Sequence, residues 1–184
     1  MSKLICGIDE AGRGPVIGPL VIAGVTIEEK DKIKLHEFGV KDSKLLTPKQ
    51  REYLYDKIIA IVKNYKIVII PPAEIDAAVE SKTLNLNWLE AIKSVEIIAA
   101  LKPDKAILDC PSTNIKAYTN YIRNLLSENG KQIEIICEHK ADVNHIEVAA
   151  ASILAKVMRD RLIEEIKEKI NIDFGSGYPS DPKT

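Results

Sequence analysis

The chain has 184 residues, 46% of them apolar and 29% charged, with a formal net charge of −1. That balance fits one folded domain with a sizeable core, and excludes a wholesale polycation, although a basic groove offset by acids elsewhere would vanish in the sum. Three scattered cysteines without a Cys-x-x-Cys pair favour reduced thiols in a cytoplasm, and the longest apolar run, around Ile17 to Ile27, is too short and broken to span a bilayer.

In chain order, Leu4 to Asp9 reads as a strand that is apolar on both faces and therefore central. It ends in two acids, Asp9 and Glu10, followed at once by Gly12-Arg13-Gly14-Pro15. Val16 to Glu29 reads as one or two further strands, antiparallel to the first because the connection is short. Asp31 to Phe38 is a short helix stopped by Gly39, and Lys41-Asp42-Ser43-Lys44 a polar loop. Thr47-Pro48-Lys49-Gln50 is a helix start, with Thr47 as cap and Gln50 closing a capping box, and that helix runs to about Asn64.

Lys66 to Ile70 is a strand ended by two prolines, and Glu74 to Glu80 and Leu84 to Leu101 are helices. Ala106 to Asp109 is a strand, Asn114 to Glu128 a helix ended by Asn129-Gly130, and Gln132 to Cys137 a strand. A long helix starts near Asp142, with Leu154, Met158, Leu162 and Ile166 at every fourth position. Three antiparallel strands followed by alternating helices and strands indicate an α/β fold, a mixed sheet flanked by helices.

Asp9 and Asp109 both end strands, and in alternating architectures ligands sit beyond the carboxyl ends of strands. Adjacent strand residues point to opposite faces, so Asp9 and Glu10 converge only if the strand stops there. With Asp142, these acids would repel one another unless a cation held them. Oxygen ligands without a partnered His or Cys favour Mg²⁺ or Mn²⁺, and two ions about 4 Å apart suit phosphodiester hydrolysis. Each acid also has a plainer explanation: Asp142 as a helix cap, Asp109 as a turn residue before Cys110-Pro111, Glu10 as a solvated charge. The Gly-rich run is no dinucleotide fingerprint, because a strand follows it, and His145-Ile146-Glu147 has no Pro-Cys-x-x-Cys partner that would make it a zinc deaminase motif.

The run Gly7-Ile-Asp-Glu-Ala-Gly-Arg-Gly-Pro15 resembles the opening motif of type 2 ribonuclease H (ribonuclease HII) in its archaeal form. Asp42-Ser43-Lys44-Leu45, Leu108-Asp109, Lys140-Ala141-Asp142, Ala150 to Val157 with Arg159-Asp160, and Gly175 to Pro182 agree in order, so the resemblance covers nearly the whole chain. It implies a ribonuclease H fold with a five-stranded mixed sheet over a single catalytic domain, 1–184. It implies Asp9, Glu10, Asp109 and Asp142 as ligands of two Mg²⁺ or Mn²⁺ ions. The implied reaction is cleavage of RNA paired to DNA, or of a lone ribonucleotide in duplex DNA, leaving 3′-hydroxyl and 5′-phosphate ends. Gly12, Arg13 and Gly14 would sense the 2′-hydroxyl at the junction, Tyr178 would stack on the neighbouring deoxyribose, and Lys44 and Lys156 would contact phosphates.

Two departures stand out. Asn144-His145-Ile146-Glu147 replaces the family's aromatic-proline stretch, with Glu147 either adding a carboxylate near the site or, the favoured reading, making a salt bridge on the helix surface. The family's further C-terminal helices, and the archaeal sliding-clamp tail, are expected to be absent after Tyr178. The reading is a cytoplasmic monomer with no membrane contact. Its alternatives are a catalytically weakened hybrid-binding form and a resolvase- or transposase-like nuclease of the same superfamily.

Overall fold

The computed structural model describes residues 3–127 and 133–184. The expected helix end at Asn129-Gly130 and strand start at Gln132 lie outside them. Five strands form one sheet: β1 (Leu4–Ala11), β2 (Leu20–Glu28), β3 (Asn64–Ile70), β4 (Lys105–Asp109) and β5 (Glu134–Glu138), in the order β3-β2-β1-β4-β5. β1 pairs antiparallel with β2, and β2 with β3, while β1–β4 and β4–β5 are parallel. The mixed α/β sheet expected from the sequence is therefore the sheet observed.

The helices are α1 (Lys32–Glu37), α2 (Pro48–Ile61), α3 (Pro72–Glu80), α4 (Leu86–Leu101), α5 (Ile115–Ser127), α6 (Ala141–Asn144) and α7 (Ile146–Ile170). Among the described residues none is long and apolar enough to cross a membrane. Side-chain alternation divides the core between the two sheet faces. Val21, Ala23, Val25 and Ile27 of β2 pack with the alanine-rich first half of α7 on one face. Cys6, Ile8, Leu20, Ile22 and Leu108 pack against α4 and α5 on the other. Each fully buried Val, Leu or Ile among them contributes about 1.5–3 kcal/mol. Gly7 shows how close α7 comes, since a Cβ there would stand 2.3 Å from the Glu147 carbonyl carbon.

Several boundaries differ from the sequence expectation. β1 continues through Glu10 to Ala11 instead of stopping at Asp9, because β2 supplies pairing partners to the end (Glu10 opposite Ile22, Ala11 opposite Val21). Val16 to Pro19 is loop, with Gly18 at φ +94°. The Thr47–Gln50 capping box is present, but α2 ends at Ile61, where β3 is about to begin. The single helix expected from Asp142 is two. Lys140 is left-handed and His145 extended, which isolates α6 as one turn ahead of α7.

Candidate active site

The β1–β4 pairing closes at Ile8 opposite Leu108, so Asp9, Glu10 and Asp109 lie just past it. Parallel partners share a facing, which turns Asp9 and Asp109 together toward α6 and α7, and Glu10 toward α4. The Glu10 N–H, free of the β4 ladder, donates to Asp9 Oδ1 at 2.8 Å. Asp109 Oδ1 accepts the Ala141 N–H at 2.9 Å. That bond ties the end of β4 to the α6 turn and brings Asp142 alongside.

Asp142 is 2% exposed, makes no capping bond, and leaves Oδ1 without a hydrogen-bond partner, which disposes of the cap explanation. Its Oδ2 lies 3.5 Å from Lys44 Nζ. Lys44 sits in the 3-10 turn Ser43–Leu45, held from two sides. Ser43 and Ser152 hydroxyls share a hydrogen bond of 2.9 Å, and buried Arg51 donates to the Ser43 and Leu46 carbonyls at 3.2 and 2.7 Å. Ser152 also favours the charged form of Asp9, so the two serines link the Lys44 turn to the acids.

Crowding sets the electrostatics. Burial first, then the Glu10 charge, holds the Asp9 carboxyl well above the usual carboxylate range, with Ser152 opposing. Burial, then Glu90 and Asp109, pushes Glu10 up to about 8, with Arg13 opposing. Burial also raises Asp142, against the pull of Lys44. Among the described residues no three acids already form a closed ligand set. Even so, the residues fit divalent ions: hard oxygen donors, mutual repulsion that a cation would relieve, and an orphaned buried oxygen on Asp142.

A cleft of roughly 250 Å³ is lined by all the expected site residues except Asp142, namely Asp9, Glu10, Gly12, Arg13, Gly14, Lys44, Asp109, Lys156 and Tyr178. Asp142 opens instead on the adjoining cleft, with Lys44 between. A wider groove, roughly 910 Å³, runs along α7 by Asp173 and Asp181, and none of the expected residues lines it. Glu147 is a correction: it makes an ion pair, 3.1 Å from Lys32 Nζ, but is fully buried under α1 rather than on the helix surface.

The two loops flanking the acids meet on Arg159, a residue of the resembling segments to which the sequence assigned no role. Arg159 is fully buried and donates to the Ile17 carbonyl at 3.1 Å and the Ser176 carbonyl at 3.4 Å. Its guanidinium lies 4.7 Å from the Tyr178 ring centre. Gly12 must be glycine: its φ is +102°, and a Cβ would stand 2.7 Å from Arg159 Nε. Gly14 is the opposite case, with nothing within 4 Å of an added Cβ, an open flank beside the cleft. Lys156 pairs with Asp160 and stands 5.7 Å from the Tyr178 ring centre. Ser152, Lys156 and Arg159 follow i, i+4, i+7 spacing, a polar stripe that enters the apolar first half of α7 and could have served as a signal.

Two more unforeseen residues lie on α4. Arg13 Nη1 donates to Glu90 Oε2 at 2.6 Å, and its other terminal nitrogen to Asn87. Asn87 and Glu90 are three apart and so share a helix face, where Glu90 is a buried acid.

Comparison with known proteins agrees with this geometry. The family model described as Ribonuclease HII matches residues 6–184. The Ribonuclease HII of Pyrococcus abyssi is 47% identical over 98% of this chain and 78% of its own length. That of Methanococcus maripaludis is 48% identical over 100% of this chain and 76% of its own. The crystal structure of ribonuclease H2 from Pyrococcus horikoshii OT3 superposes with a TM-score of 0.87 at 46% identity, covering 98% of this chain and 82% of that one. The PCNA:RNase HII complex from Archaeoglobus fulgidus gives 0.87 at 40% identity, covering 98% and 84%. With acids on the rim of a mixed five-stranded sheet and kinship along nearly its full length, the chain belongs to the ribonuclease HII family and is a metal-dependent ribonuclease H.

Proposed function

We propose that this chain cuts the RNA strand of RNA–DNA hybrids, and the phosphodiester at a single ribonucleotide within duplex DNA, leaving 3′-hydroxyl and 5′-phosphate ends. The observation that carries the reading is the register of β1 on β4, which sets Asp9 and Asp109 side by side and, through the Ala141 N–H, brings Asp142 beside them. Asp9, Glu10, Asp109 and Asp142 would hold two Mg²⁺ or Mn²⁺ ions. Such ions activate water and stabilise the leaving oxygen of a phosphodiester.

The chain's own residues supply the rest. A bound cation would favour the charged forms of Asp9 and Glu10 and so offset their raised proton affinity. Lys44 and Lys156 border the cleft and can meet phosphate oxygens. The open flank at Gly14 lets a sugar edge approach the Gly12–Gly14 backbone, where a 2′-hydroxyl distinguishes ribose from deoxyribose. Tyr178, braced by Arg159 and Lys156, presents its ring to the neighbouring sugar. The described elements pack around one sheet, which supports a single catalytic domain.

The test is cleavage mapping on DNA bearing one ribonucleotide beside a full RNA–DNA hybrid, with Mg²⁺ and with Mn²⁺. A cut at the ribonucleotide with 5′-phosphate product is expected. Tight binding of hybrid without product at any metal concentration would instead indicate a non-cleaving binding protein.

A further inference from the structure

We propose that Glu90 is a positioning residue for substrate selection: it fixes the Arg13 guanidinium, and through it the Gly12–Gly14 backbone, in the orientation that separates ribose from deoxyribose. This rests on the junction-sensing reading above. The loop after β1 is fixed at its near end by Gly12 packed on Arg159, and at its far end by the Val16 N–H donating to the Gly177 carbonyl at 2.9 Å. Between them Arg13 and Gly14 are exposed, and the anchor of that tip is the Arg13 side chain reaching α4.

Glu90 is an odd choice if stability were its purpose. It is 2% exposed, its Oε1 has no hydrogen-bond partner, and it faces Glu10, a second acid. Among the described residues its ion pair is Arg13, whose side chain remains 34% exposed. Burying a carboxylate for one partner that stays a third exposed gains little net stability, and an apolar pair would pack as well or better. What a buried, hydrogen-bonded pair does supply is a fixed orientation. Because the guanidinium is already committed to Glu90 and Asn87, Arg13 acts as a strut for the loop, and the backbone beside it reads the sugar.

The experiment is a double-mutant cycle of Arg13→Ala and Glu90→Gln, read as kcat/KM on single-ribonucleotide duplex. If Glu90 works through Arg13, each single change costs about tenfold, mainly in KM, and the double change costs about tenfold rather than about a hundredfold. Fully multiplicative losses would overturn the proposal. Asn87→Ala, at the more exposed partner, should give a smaller loss that also vanishes in the Arg13→Ala background, and it serves if Glu90→Gln fails to fold. An activity-free readout accompanies these. An arginine-directed dicarbonyl, scored by peptide mass, should modify Arg13 several times faster in Glu90→Gln than in the parent; an unchanged rate overturns the contact. A parent that cuts neither duplex overturns the substrate reading, and the labelling then judges the Arg13–Glu90 contact alone.

Discussion

The two faces of β1 treat their acids differently. Toward α7, Asp9 has a hydroxyl donor in Ser152, Asp109 has the Ala141 N–H, and Asp142 has Lys44. Toward α4, Glu10 meets another acid, Glu90, and both depend on the single guanidinium of Arg13. The α7 face is thus organised by hydrogen bonds that fix carboxylate geometry, as ligands require. The α4 face is organised by charge balance around a loop that has to meet a substrate. Asp9 and Glu10 leave β1 on opposite sides yet line one cleft, and it is the Glu10 side that also carries the Arg13 anchor of the loop.

The largest expected effect breaks the α7 face. Asp109→Asn keeps an oxygen for the Ala141 N–H but removes the charge, so kcat should fall on the order of a hundredfold or more while the melting temperature barely moves. A parent-like rate would remove Asp109 from the ligand set. Next, Gly7→Ala drives a methyl into the α7 backbone and should cost about 3 kcal/mol in urea unfolding. Gly14→Ala meets nothing and should stay within about 0.5 kcal/mol, yet lose cleavage if a sugar passes there. Equal stability losses would contradict the close approach of α7.

Ser152→Ala sharpens the comparison by removing the donor to Asp9, and should weaken the apparent metal affinity about tenfold with little change on the α4 side. The mildest effect is a pH dependence from the α4 face. Glu10 is raised from 4.5 to about 8 and Glu90 from 4.5 to about 7, both first by burial. The folded chain therefore binds these protons more tightly than the unfolded one. Their contribution is fully present below about 4.5 and is lost as pH rises toward 8. Thermal melts without metal should fall over that window. Added Mg²⁺ should restore more at pH 8 than at pH 5, and Glu90→Gln should flatten the curve. A flat parent profile would deny the crowding of the α4 face.

Much was legible locally. Strand and helix periods, the Thr47–Gln50 box, and the acid pair followed by glycines are patterns a few residues wide, and local sterics and hydrogen bonding decide them. The order of the elements then implied a mixed sheet. Other features depend on where distant elements land. The β1–β4 register joins residues about a hundred positions apart, and it alone makes Asp9 and Asp109 neighbours. Lys140 and His145 isolate the turn that carries Asp142, a break no periodicity announced. Glu147 read as a surface charge because burial is set by the partner, here α1 and Lys32, rather than by the residue's own helix. Glu90 and the buried role of Arg159 escaped notice for the same reason. Sequence determined which residues could do the chemistry; the tertiary structure decided which of them meet, because register and burial are properties of pairs of elements that no single stretch contains.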